Sequence, residues 1–154
     1  MPTIVGEQEA VTRLAMEYPE GVGHARHVTL LALQLFDGLL PLHKLTGRDR
    51  VLLGYAGQLH DIGWKYGRKR HRVQSAMMIF ADNEFPFDPV ERGIIGTVTR
   101  LHAGMWNADA GGYFSLIPTV DQHRTQALAA LLRIADGLDY RHLGIVQSLH
   151  CMGE

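Results

Sequence analysis

Apolar residues along the 154-residue chain recur at helical spacing. Val28, Leu31, Leu35 and Leu39 follow one another at steps of three and four, which holds them on one face at 3.6 residues per turn. That face predicts a helix over residues 24–40, ended by Pro41. An earlier helix covers residues 6–18 and stops at Pro19 and the Glu20-Gly21 that follows. A third opens after Thr46, with Asp49 in the first turn near the positive end of the dipole. It carries Val51, Leu52 and Leu53 through to Leu59 and His60. A fourth covers residues 73–81. The fifth has the clearest start signal: Asp88 as cap, Pro89 in the first helical position and Glu91 placed to reach back. It runs to about His102. The last begins near Thr119, where Gln122 completes a capping-box pattern, and ends at about Leu138. Residues 103–118 hold three glycines and no strong periodicity, which reads as a long surface loop of the length that functional loops reach. No segment alternates with period two for long enough to demand a sheet, so the class is all-α, with about six helices.

Composition narrows this to a single domain over residues 1–154, with 46% hydrophobic and 20% charged residues. A domain of this length buries roughly 68–70% of the surface its unfolded chain exposes and needs no disulfide. Cys151 has no second cysteine to pair with. No apolar run approaches the roughly 20 residues of a membrane span, and no basic-then-apolar leader is present, so a soluble chain in the reducing cytoplasm is expected. The net charge of -1 gives no reason to expect nucleic acid or a membrane as partner. One charge run stands out. Lys65, Arg68, Lys69, Arg70 and Arg72 follow the His60-Asp61 pair, either as a solvated surface or as a rim that attracts phosphate. The apolar tail, residues 143–152, packs either on the domain or on a second copy in a homodimer.

Ionisable side chains interrupt the apolar faces in three places, and a buried charge is costly unless paired or metal-bound. His24 lies four residues before Val28, on the core-facing side of its helix. Asp136 lies four residues after Leu132, on the buried stripe of the last helix. His60 and Asp61 directly follow the apolar run of the third helix. Two histidines and two aspartates form a donor set for a divalent cation and leave coordination positions for water and a phosphate oxygen. Each has a plainer alternative: His24 as a hydrogen-bonded core histidine, Asp136 in an ion pair with Arg133 or Arg141. The His-Asp dipeptide alone decides nothing.

The longer wording carries more. The runs Gly23-His24-Ala25-Arg26-His27-Val28, Leu59-His60-Asp61-Ile62-Gly63 and Leu132-Arg133-Ile134-Ala135-Asp136-Gly137-Leu138-Asp139 occur in the order of the HD superfamily, which the chain resembles over residues 24–142. More narrowly, the chain is similar to the C-terminal helical domain of the exopolyphosphatase and guanosine pentaphosphatase family. The resemblance implies a compact HD bundle with a metal held by His24, His60, Asp61 and Asp136. His27 competes with His24, which is preferred because the family histidine precedes by four the apolar residue matched by Val28. It also implies a second-metal option at His71 and His102. Arg72 and Gln74 stand where relatives often carry histidine, so one metal is the expected number.

In that family the helical domain follows an actin-like domain that performs the hydrolysis. The 154 residues hold no such domain, so the family's activity does not transfer directly and the domain is expected to act on its own. The expected activity is metal-dependent hydrolysis of a phosphomonoester or pyrophosphate bond in a nucleotide or other small phosphorylated metabolite. Mn, Mg, Fe, Co, Ni and Zn are all candidate ions. Asp61 and Lys65 are the expected catalytic residues, and Arg68, Arg72 and Arg100 are expected to neutralise phosphate. The alternative is a regulatory module that binds metal or nucleotide without turnover.

Overall fold

The computed structural model describes residues 3–106 and 113–153. Seven α-helices account for most of them: α1 (Ile4–Ala15), α2 (Val22–Gly38), α3 (Leu40–His43), α4 (Gly47–Leu59), α5 (His71–Ala81), α6 (Pro89–Leu101) and α7 (Thr119–Leu138). No strand occurs among the described residues. The all-α expectation holds. The six long helices stand where periodicity places them, and the seventh, α3, is a single turn. Pro41 stops α2 yet suits the first turn of α3, where the N–H that proline lacks would have had no helical acceptor. Of the loop expected over residues 103–118, residues 107–112 lie outside the described set, and Phe114–Leu116 form a 3-10 turn.

Two helix starts differ from expectation in their chemistry. At α6 the Asp88 side chain accepts from the Val90 and Glu91 N–H groups, but Glu91 does not reach back. Its carboxylate takes two hydrogen bonds from Arg48 instead, a charge-assisted pair that outcompetes a neutral N–H. At α7 no capping box forms, since Pro118 holds the cap position and Thr119 is already helical. Gln122 donates instead to the Ile117 carbonyl. A capping box does form at α4, where Thr46 and Asp49 satisfy each other's backbone N–H.

Helices α2, α4, α6 and α7 pack together, with α1 laid on α4 and α5 on α6. Leu31, Leu52, Leu53, Leu59, Ile94 and Leu132 are fully buried between them. The tail beyond α7 runs along α2. His27 Nε2 donates to the Val146 carbonyl at 2.8 Å, and the Leu149 N–H donates to Gln34 at 2.7 Å. Val146, Leu149 and Cys151 pack against the domain's own core, while Leu143, Ile145 and Met152 stay exposed.

At the end of the bundle where α4 begins, every buried carboxylate has an arginine. Arg48 joins Glu7 of α1 to Glu91 of α6, and Arg124 of α7 holds Asp49 at 2.7 Å. Burial alone would push the Asp49 carboxyl up. The Thr46 N–H, Arg124 and the Thr46 hydroxyl outweigh it and hold the group below its ordinary value of 3.8. A depressed folded value means the contribution is fully present above about pH 4 and is lost as pH falls through that lower value. Asp49→Asn is therefore expected to cost about 1–2 kcal/mol at pH 7. Urea unfolding of variant and parent should converge as pH drops towards 2.

Candidate metal centre

The opposite end of the bundle is built differently. Here α4, α6 and α7 end while α2 and α5 begin, so three helix C-termini, the electronegative ends, converge on one place. His60 caps the end of α4 and His102 the end of α6. His24 lies in the first turn of α2, His71 opens α5, and Asp136 and Asp139 lie at the end of α7. Asp61 follows His60 and points between them. Its Oδ2 is 3.7 Å from His24 Nε2 and 3.5 Å from His60 Nε2. Its Oδ1 is 3.3 Å from His71 Nε2 and 3.6 Å from His102 Nε2. Asp136 Oδ1 closes the first group, 3.2 Å from His24 and 3.4 Å from His60.

The protonation of the four rings follows from what stands behind them. His60, His71 and His102 each direct Nδ1 at the backbone carbonyl three residues back, those of Gly57, Arg68 and Thr99, at 2.6–2.7 Å. A carbonyl only accepts, so each Nδ1 carries the hydrogen and each Nε2 is left to face inward. Helix ends make this feasible: with α4 stopping at Leu59 and α6 at Leu101, the Gly57 and Thr99 carbonyls have no helical partner. His24 is held by a side chain instead, with Nδ1 donating to Asp139 at 2.8 Å. Such outer contacts fix ring orientation and tautomer in metal-binding histidines.

Two features fit a cation. His60 Nε2 is completely buried and makes no hydrogen bond, although it faces two carboxylate oxygens. His71 Nε2 and His102 Nε2, both with the hydrogen on the other nitrogen, lie 3.1 Å apart and present lone pairs to each other. A cation between such donors removes both conflicts. Donor atoms held at about 2.0–2.2 Å from a first-row ion stand roughly 3–3.6 Å apart, close to the separations of 3.1–3.7 Å found here. No arginine or lysine approaches Asp61 or Asp136 among the described residues, in contrast with the other end of the bundle.

The charge balance points the same way. Burial would push the His60 imidazole down, but the charges of Asp61 and Asp136 raise it to about 9. Burial, then His60, push His102 down to about 3. Asp136 is held well below the carboxylate range by His24 and His60, despite burial acting in the other direction. The two carboxylates demand positive charge at this spot.

Gly63 makes the joint between α4 and α5 close enough. A Cβ there would sit 2.4 Å from the His71 carbonyl and 2.5 Å from the Ser75 N, and its own N–H donates to Ser75 Oγ at 2.8 Å. A side chain at position 63 would push α5 away and carry His71 off Asp61.

The other expected residues stand outside the cluster. His27, on α2, turns to the Val146 carbonyl of the tail and not into the cluster. Neither alternative ion pair of Asp136, with Arg133 or with Arg141, forms among the described residues: Arg133 donates to the Leu101 and Gly104 carbonyls. Lys65, on the outward 3-10 turn Trp64–Tyr66, lies half exposed with its ammonium 3.6 Å from Glu17, so the structure does not bring it to Asp61. Arg68 rests on Tyr140 through a hydrogen bond to the hydroxyl and a ring contact at 5.8 Å. Arg72 donates to the Arg100 carbonyl at 3.4 Å, and Arg100 is buried.

Sequence reasoning missed two participants. Asp139 anchors both His24 and the turn after α7, since its Oδ1 accepts from the Gly144 N–H at 2.7 Å. His142, on that turn at φ 55°, stacks on His24 with ring centroids 3.5 Å apart, and has a nitrogen within 4.8 Å of ligand atoms of His24 and Asp61. Asp139 was legible as the second carboxylate of Asp136-Gly137-Leu138-Asp139. His142 had no periodicity to mark it. Asp139→Asn is expected to weaken metal binding about 10–100-fold while leaving the fold intact, which titration calorimetry checks.

No curated protein matches the chain. Residues 7–151 match the family described as Ppx/GppA phosphatase, domain III. With nearly its whole length in that match, the chain belongs to the domain III family of the Ppx/GppA phosphatases.

Proposed function

We propose that the chain is an HD-type metal-dependent phosphohydrolase holding two divalent cations, one with His24, His60, Asp61 and Asp136, the other with Asp61, His71 and His102. One observation carries this reading: four imidazoles, each with Nδ1 already committed, present Nε2 to the two oxygens of one carboxylate. The expectation of a single metal rested on the missing histidines at positions 72 and 74. The pairing of His71 with His102 favours two. Imidazole-rich donors suit Mn, Fe, Co, Ni or Zn better than Mg, which prefers oxygen ligands.

A bound divalent ion supplies Lewis acidity toward a phosphoryl oxygen and a water acidified to near-neutral pKa. The chain's own residues do the rest. Asp61 ties the two groups together and fixes their separation. Asp136 is the most open of the carboxylates in the cluster, with 19% of its side chain exposed, so substrate approaches on its side, past His142. Trp64, 6.2 Å from His142 between ring centroids, walls that approach, and Arg68, held on Tyr140, is the cation we assign to an incoming phosphate. Lys65 has no part in this scheme. The substrate class is a phosphomonoester or pyrophosphate bond of a nucleotide or other small phosphorylated metabolite.

The test is turnover of a nucleotide and phosphoester panel by the full chain loaded in turn with Mn, Fe, Co, Ni, Zn and Mg. Hydrolysis with at least one ion supports the reading. Thermal stabilisation by nucleotides without hydrolysis under any ion replaces it with the regulatory module.

A further inference from the structure

Arg100 lies two residues before His102 on α6, about 200° around the helix from it, so the two side chains leave on different flanks. It is 9% exposed, its Nε is fully enclosed, and among the described residues it makes no hydrogen bond and no ion pair. Other partly buried arginines are satisfied. Arg48 and Arg124 each hold two carboxylates, and Arg92 and Arg133 donate to backbone carbonyls. Among the described residues the side chains acting on Arg100 are Tyr113 and another cation, Arg72, whose guanidinium donates to the Arg100 carbonyl. Gly104, at φ 75°, gives Arg72 room: a Cβ there would come within 2.8 Å of its Nε.

Three guanidinium groups thus surround the end of α6, with no carboxylate among them in the described residues. Two have an evident task, since Arg72 and Arg133 donate to carbonyls that the helix end leaves free. Arg100 does not. A buried guanidinium without a counter-charge is destabilising, and a planar fork of donors matches a tetrahedral oxyanion.

We propose that Arg100, with Arg72 beside it, is a binding site for an oxyanion of the phosphate type, separate from the metal centre. The anion is either free inorganic phosphate or a phosphate group of a larger ligand. The site stands whether or not the cluster around Asp61 is catalytic.

The experiment is thermal shift of the full chain with inorganic phosphate and with pyrophosphate, for the parent, Asp61→Asn, Arg100→Met and Arg72→Gln. The parent and Asp61→Asn are expected to rise in melting temperature with either anion. Arg100→Met is expected to melt about 3–6 °C higher than the parent without anion, because an uncompensated buried charge is gone, and to lose the anion response. Saturation by phosphate alone identifies the free anion, whereas pyrophosphate binding at least tenfold tighter identifies a group on a larger ligand. A lower melting temperature for Arg100→Met with the response intact overturns the site. So does a response lost in Asp61→Asn and kept in Arg100→Met, which places the anion on the metals. If Arg100→Met does not fold, Arg72→Gln decides: affinity for pyrophosphate at least fivefold weaker supports the site, and unchanged affinity overturns it.

Discussion

Asp61→Asn is expected to reduce phosphohydrolase activity by about 10³-fold or more and to lower bound metal from two ions per chain to less than one. The size of the effect follows from geometry. Each oxygen of Asp61 faces a different pair of histidines, so one substitution removes an anionic ligand from both groups at once. An amide of the same shape keeps the packing, since Asp61 is buried and no arginine or lysine depends on it. The variant should therefore fold, and inductively coupled plasma analysis beside a phosphate-release assay reads both consequences. A variant with full metal content would deny Asp61 the bridging position.

Chelation of the full chain is expected to lower its melting temperature by about 16–32 °C, about 8–16 °C for each of the two sites. An ion present at a thousand times its dissociation constant contributes about 4 kcal/mol per site, and a domain of this size loses roughly 2–4 °C per kcal/mol. Without a cation, Asp61 and Asp136 have only histidine charge to offset them near the converging ends of three helices, whose dipoles disfavour anions. Adding back the ion should restore the melting temperature. Calorimetry with and without chelator checks this, and an unchanged temperature after verified metal removal would leave the cluster's histidines as ordinary buried groups.

These expectations rest on positions that were unequally visible in the sequence. His24 and Asp136 could be placed because each sits four residues from an apolar neighbour whose burial is certain, Val28 and Leu132, and both neighbours are fully buried. Helical periodicity transmits that certainty along one element. It does not pass between elements. The approach of His71 to His102 depends on α5 packing on α6 with the turn at Gly63 seated closely against it, and on carbonyls that become free only because α4 and α6 stop where they do. Such acceptors are backbone atoms and leave no trace in residue identity. The charge run after Asp61 shows the same limit: its five cations look alike in sequence, yet Lys65 turns out to Glu17 and Arg68 crosses to Tyr140. His142 was hidden for a different reason, since it lies on a turn beyond the last helix and is placed by Asp139 and a left-handed backbone conformation.

The domain III family membership fixes the ancestry of the fold, while the chemistry stands on the cluster around Asp61. The most direct measurement is anomalous diffraction from crystals of the full chain grown with manganese or zinc, collected at the absorption edge of the ion. Two peaks are expected on either side of Asp61, one among His24, His60 and Asp136 and one between His71 and His102. Absence of any peak there, with His60 Nε2 hydrogen-bonded directly to Asp136 or Asp61, would contradict the metal centre.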